Sequence, residues 1–264
     1  MSRRAAPGEP HASTAPGGPS APSALGPERA AAFRALAEAT EGIDAAVYAQ
    51  CGRDWRDPIV GLGAPDARIG FFGRDPGRTE VRHAEPFVGA GGQLLRRALW
   101  RRLRGPDAGT PSLEESIAVG RDFFWINTVP YKPVGNKAWP MAVKRRFHPL
   151  VRGLLAEAWH GRTLLTLGRE AFLWFGIGQP AELRQRLEDF WAGEDRFART
   201  IEVPLPQGDG DGDSGAPVFT LCPLPHPSPL NQTWYRRFPA LLDARLEALD
   251  VRPGRLRLRD GAGG

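Results

Sequence analysis

Two short segments far apart in the chain carry the residue types best suited to chemistry. Gly73-Arg74-Asp75-Pro76-Gly77 supplies a carboxylate, and His226-Pro227-Ser228-Pro229-Leu230 supplies an imidazole beside a serine, a leucine and two stiffening prolines. A carboxylate and an imidazole facing one cleft can stabilise a developing cation and a departing anion, or move a proton between them. Each segment follows a run that reads as a buried strand, ARIGFF over 67–72 and PVFTLC over 217–222. Both therefore sit on loops at the carboxyl ends of strands, where open α/β sheets bind ligands. Taken singly they say less, because in an isolated Asp-Pro-Gly the aspartate simply caps a turn.

Periodicity outlines the elements that must position these loops. Helical spacing predicts helices over 27–40, 91–103, 141–159, 169–175, 180–191 and 233–249. The 141–159 segment is the clearest, with Phe147, Leu150, Val151, Leu154, Leu155 and Ala158 in one apolar stripe. Short apolar runs predict strands over 67–72, 122–127, 163–167, 198–203 and 217–222. Strands alternating with helices imply a three-layer α/β/α sandwich around a central, mainly parallel sheet. Three regions are expected: an Ala/Pro/Gly/Ser-rich disordered tail over 1–26, one domain over 27–250, and a basic, glycine-ending tail over 251–264.

Composition narrows the function classes. The 264 residues hold 41% hydrophobic side chains and no apolar run of membrane-spanning length. No segment reads as a secretory signal, and the sparse cysteines fit a reducing cytoplasm, so a soluble, cytoplasmic protein is expected; it is also expected to be a monomer. A formal charge of +5 is compatible with a nucleic-acid partner, although arginine dominates and coding bias toward Arg, Ala, Gly and Pro explains part of it. The three lysines, Lys132, Lys137 and Lys144, fall in one short stretch and suggest a basic patch. The two cysteines, Cys51 and Cys222, have no partners at metal-ligand spacing, so no disulfide framework, metal site or cofactor is expected. The Gly-Asp repeat within 206–217 lacks the glutamate of a calcium loop and reads as a surface connection.

From about Cys51 to Phe238 the order and spacing of several segments resemble the uracil-DNA glycosylase superfamily. The residues concerned are Pro58 to Arg68, the Gly-Arg-Asp-Pro-Gly motif, Glu85 to Leu95, Phe124-Trp125-Ile126-Asn127, Leu164 to Gly168 and the His226 motif. The resemblance implies a partner, DNA containing uracil or another deaminated base, and a flipped-out nucleotide, since the reacting carbon is inaccessible inside the stack. It implies that Asp75 positions water and stabilises the sugar cation and that His226 donates to the leaving uracil, as the two catalytic residues. Gly73, Phe87 and Asn127 would bind the base, Phe87 by stacking and Asn127 by pairing with O4 and N3-H. Ser228, Pro229 and Leu230 would contact DNA, with Leu230 filling the gap left by the base.

The chain also departs from the pattern it resembles. It is most similar to the iron-sulfur branch, yet of four cluster positions only Cys51 is a cysteine, with Asp54, Tyr131 and Phe147 at the other three. A cluster of that kind needs four thiolates, so none is expected. Asp75 is closer to the branch reading Gly-Gln-Asp-Pro-Tyr, but Gly77 stands where that branch has its thymine-excluding tyrosine. Lys144-Arg145-Arg146-Phe147-His148 is similar to a loop in another branch whose histidine bonds to DNA. Here it continues a helical stripe, so His148 is expected to be structural. The functional expectation is a monofunctional glycosylase that releases uracil from DNA and leaves an abasic site. An enzyme for hypoxanthine or xanthine, and a non-catalytic binder of uracil or damaged DNA, are the other two readings.

Overall fold

In the computed structural model, residues 25–206, 215–229 and 232–258 are described. Five strands, β1 (Ile69–Gly73), β2 (Phe124–Asn127), β3 (Thr163–Leu167), β4 (Ile201–Pro204) and β5 (Val218–Leu224), form one sheet in the order β2-β1-β3-β5-β4. The first four in that order pair in parallel, and β4 runs antiparallel along the outer edge of β5. All five residues of β1 are buried, as a central parallel strand covered on both faces requires.

Alternation along the strands divides the core in two. Phe72, Phe124, Ile126, Leu164 and Leu221 face one side and pack with Phe33, Phe147, Val151 and Leu154. Those four come from the Pro27–Glu38 and Met141–Glu157 helices. Phe71, Trp125, Leu165, Cys222 and Leu224 face the other side and pack with Leu95, Leu99, Phe238 and Leu242. Those come from the Ala90–Arg104 and Gln232–Ala248 helices. The architecture is the expected three-layer sandwich with a mostly parallel sheet. Among the described residues, no helix is long and apolar enough to cross a membrane.

The ends of the domain differ from the expected limits. Leu25, placed in the amino-terminal tail by composition, is buried in the first core cluster, whereas residues 1–24 lie outside the described set. Residues 251–258, expected as a tail, lie against the body. Val251 is buried, the Arg68 N–H donates to the Leu256 carbonyl at 2.9 Å, and Arg257 pairs with Asp66 at 3.0 Å and Asp122 at 2.6 Å.

The chain leaves β1 for β2 on one side and returns across it to β3 on the other. This reversal of winding makes a crevice at the carboxyl ends of β1 and β3, the usual ligand position in such sheets.

Candidate active site

At that crevice lies a cavity of about 310 Å³, at the small end of the range for ligand pockets. Gly73, Asp75, Phe87, Asn127, His226, Ser228 and Pro229 all line it. Residues more than 150 positions apart thus converge because β2, β1, β3 and β5 run parallel and end along the same edge of one sheet. Leu230, the expected wedge, lies outside the described residues.

Gly73 and Asn127 are register partners at the ends of β1 and β2. A Cβ on Gly73 would stand 2.6 Å from the Phe87 ring and 2.7 Å from Asn127 Oδ1, so only glycine lets the ring and the amide approach each other here. Asn127 is buried. Phe87 has φ +58°, a left-handed conformation that a bulky side chain adopts only when its surroundings enforce it. Arg96 supplies much of that enforcement. Its buried guanidinium donates to the Phe87 carbonyl at 2.9 Å and the Pro86 carbonyl at 2.9 Å, pairs with Glu85 at 2.6 Å, and lies over the Trp125 ring. Trp125 in turn packs at 5.3 Å against the Phe87 ring.

Asp75 follows Gly73 by two residues, and its side chain is only 2% exposed. Oδ2 accepts from Arg74 Nε at 2.7 Å, while the buried Oδ1 has no hydrogen-bond partner among the described residues. Burial pushes the carboxyl up to about 6, against the opposing pull of the Arg74 charge. His226 is an exposed residue whose surface forms part of the cavity wall. Desolvation by those walls, and then the Arg74 charge, hold its imidazole below the ordinary histidine value. Although burial favours the neutral acid, a carboxyl at about 6 is still mostly ionised near neutral pH, where it coexists with a neutral imidazole, one able to accept a proton or face a cation, the other able to donate through N–H.

Two contacts hold the loops in place. Glu80 accepts the Gly77 N–H at 3.0 Å and the Gly89 N–H at 2.7 Å, joining the Asp75 loop to the Phe87 loop. Gly91 sits so close to the His226 loop that a Cβ there would lie 2.2 Å from the Pro227 carbonyl oxygen. Glu80 and Arg96 stand out less in the sequence: Arg96 acts on backbone groups nine or more residues away, and Glu80, although it stands at N3 of its helix and caps Gly77 three residues back, follows a glycine in place of the usual Ser or Thr and makes its other contact nine residues on.

A model of the uracil DNA glycosylase superfamily matches residues 60–250, a span that contains the whole cavity lining. The chain belongs to this superfamily. It is also similar to a protein named type-4 uracil-DNA glycosylase from Archaeoglobus fulgidus, 34% identical over 115 residues, which is 43% of this chain and 49% of the relative. A second protein of that name, from Sulfurisphaera tokodaii, is 34% identical over 80 residues, 30% of each chain. The chain thus spans less than half the length of either relative.

Within the superfamily fold, the four positions compared with the iron-sulfur branch do not fit a cluster. Cys51 is a free thiol, and Asp54 is held by Arg34 at 2.9 Å and Arg56 at 2.8 Å. The Tyr131 hydroxyl lies 3.0 Å from the Phe33 carbonyl and 2.9 Å from that of Arg56, and Phe147 packs against the Tyr131 ring. Aromatic packing and ion pairs thus join segments that a cluster would otherwise tie. No group of three metal-binding side chains occurs among the described residues.

The Lys144 to His148 segment lies inside the Met141–Glu157 helix, and the buried His148 packs against Trp174 at 4.4 Å. The lysine patch needs correction. Lys132 and Lys144 are buried and paired with Asp44 and Glu170, and only Lys137 is exposed, because each amine compensates a carboxylate inside the fold. Trp139 is likewise buried, its indole N–H donating to the Tyr131 carbonyl.

Proposed function

We propose that the protein is a monofunctional DNA glycosylase that flips deoxyuridine out of DNA, hydrolyses its N-glycosidic bond and leaves an abasic site. The single observation that carries this reading is the convergence of Asp75, Phe87, Asn127 and His226 on one small cavity at the strand ends. Superfamily membership supports it.

Each group has a task in the reaction. Uracil enters with its face on the Phe87 ring and its edge toward the Asn127 amide, whose donor and acceptor match O4 and N3-H and mismatch both groups of cytosine. As the bond to the sugar breaks, positive charge grows on the sugar and negative charge on the base. Asp75 faces the former and orients the attacking water, and a neutral His226 donates a hydrogen bond to the latter at O2. Water adds to the sugar carbon, its proton passes to Asp75, and the base departs as the anion. Ser228, Pro229 and Leu230 contact the DNA strand beside the extruded nucleotide.

The absence of a side chain at Gly77, on the cavity lining, favours a second reading, an enzyme for the other deaminated bases hypoxanthine and xanthine. One experiment separates the possibilities. The purified protein is incubated with oligonucleotides carrying uracil, thymine, hypoxanthine or xanthine, and abasic sites are then cleaved with alkali. Strand breaks at uracil support the proposal, breaks only at the purines support the second reading, and binding without breaks would make the protein a non-catalytic recognition module.

A further inference from the structure

We propose that Arg74 is a positioning residue of this site, holding the Asp75 carboxylate ionised and in one orientation in the cavity wall. The proposal rests on the role given to Asp75 above.

The geometry is specific. Arg74 Nε meets Asp75 Oδ2 at 2.7 Å, and Nη2 reaches the Asn136 carbonyl at 3.3 Å, so the guanidinium links the motif loop to the Val134–Asn136 turn, and Arg74, Asp75 and Asn136 all line the cavity. Its own backbone is fixed as well, because the Thr128 hydroxyl donates to the Arg74 carbonyl at 2.6 Å, one residue beyond Asn127. Among the described residues no donor competes for Asp75 Oδ2, and Oδ1 has no partner at all. Arg74 thus determines how the carboxylate is turned.

The surrounding charges show why this cation matters. Lys144, from the Met141–Glu157 helix, and Glu170, from the Arg169–Leu173 helix, both act on Asp75. They form an ion pair with each other and act on it with opposite sign, so their effects largely cancel. Glu80, from the Arg78–His83 helix, is occupied by backbone N–H groups, and His226 across the cavity is biased toward neutrality. Arg74 remains the uncancelled cation opposing the burial that favours a neutral acid. The same charge disfavours protonation of His226. One guanidinium therefore supports both protonation states that the proposed reaction uses.

The test is the pH dependence of kcat/KM on a uracil-containing oligonucleotide for the wild type, Arg74→Gln and Arg74→Lys. Removing an adjacent opposite charge raises a carboxyl by about 1 to 3 units, so the acid limb of Arg74→Gln should move up by that much. Activity near pH 7 should fall roughly tenfold or more and recover in alkali, while Arg74→Lys, a cation without the planar fork, should keep most of the limb position. An equal loss by Arg74→Gln at every pH, with the limb unmoved, would overturn the proposal. A readout independent of turnover is the stability difference between wild type and Asp75→Asn across pH, measured with and without Arg74→Gln. Its midpoint should rise in the Arg74→Gln background, and a fixed midpoint would also overturn the proposal. No uracil release by the wild type, together with a shifting midpoint, would instead overturn only the functional reading of the site.

Discussion

Glu80 accepts the backbone N–H of Gly89 at 2.7 Å, and with its second oxygen takes the N–H of Gly77 at 3.0 Å. One buried carboxylate thereby sets the distance between the loop that carries Asp75 and the loop that carries Phe87. Glu80→Ala should orphan two N–H groups at a cost of about 1 to 3 kcal/mol each. Because both loops line the cavity, KM for a uracil oligonucleotide should also rise. Denaturant unfolding and steady-state kinetics check this, and unchanged stability with unchanged KM would remove the clasp from the description of the site.

Asp75 should leave two signatures in pH. Its folded value is about 6 against an ordinary 3.8, so the fold favours the protonated acid. The stability this provides is fully present below about 4 and is lost as pH rises through about 6, by on the order of 3 kcal/mol. Asp75→Asn should therefore be more stable than wild type in neutral buffer, with the advantage vanishing in acid. A simple turn cap would give the opposite result, a loss of stability on substitution. In activity, kcat/KM should decline below about pH 6 as Asp75 is protonated, and His226→Ala should lower the rate without moving that limb.

Base choice should follow the Asn127 amide. Asn127→Asp replaces a donor with an acceptor, so uracil excision should fall by roughly 100-fold or more while cytosine excision appears or rises. A parallel comparison on oligonucleotides with one uracil or one cytosine decides it. Loss on uracil with no gain on cytosine would mean that the amide supports the pocket without reading the base.

Gly77 permits a narrower test. Its backbone is extended, with φ −99° and ψ −173°, so other residues fit the conformation, but a Cβ there would stand 2.9 Å from Glu80 Oε2. Gly77→Tyr should reduce activity on thymine or other 5-substituted uracils by tens to hundreds of fold, since one misfitted methyl is worth about 1 to 3 kcal/mol. Activity on uracil itself should fall by a smaller factor, as Glu80 shifts to admit the new side chain. Gly77→Ala separates the effects, because it displaces Glu80 without filling the pocket.

What could be read from the sequence, and what could not, divides along physical lines. The strands ending at Gly73 and Asn127 are apolar, and Asn127 and Asp75 stand at or just past their ends, so the parallel sheet and these two cavity-lining positions were legible. Strand β5 runs to Leu224, past the expected end at Cys222, because Pro223 pairs with Thr166 where proline normally argues against a strand. The short helices Ala45–Gln50, Arg78–His83 and Leu113–Gly120 have at most about two turns and too little periodicity to stand out. Lys132 and Lys144 look like surface cations in the sequence, and only the fold reveals the carboxylates beside them. Arg96, through the Phe87 carbonyl, and Glu80, through the Gly89 N–H, support the site by contacts with distant backbone that no residue pattern announces.

The most direct measurement is single-turnover release of free uracil from a duplex oligonucleotide by the wild type and Asp75→Asn side by side, with DNA binding measured on the same samples. The wild type should release uracil, and Asp75→Asn should bind DNA comparably while losing roughly 100-fold or more in rate, the range for removing a positioned acid–base group. Equal release by both proteins, or none from the wild type, would contradict the assignment of Asp75 and this cavity to glycosidic bond cleavage.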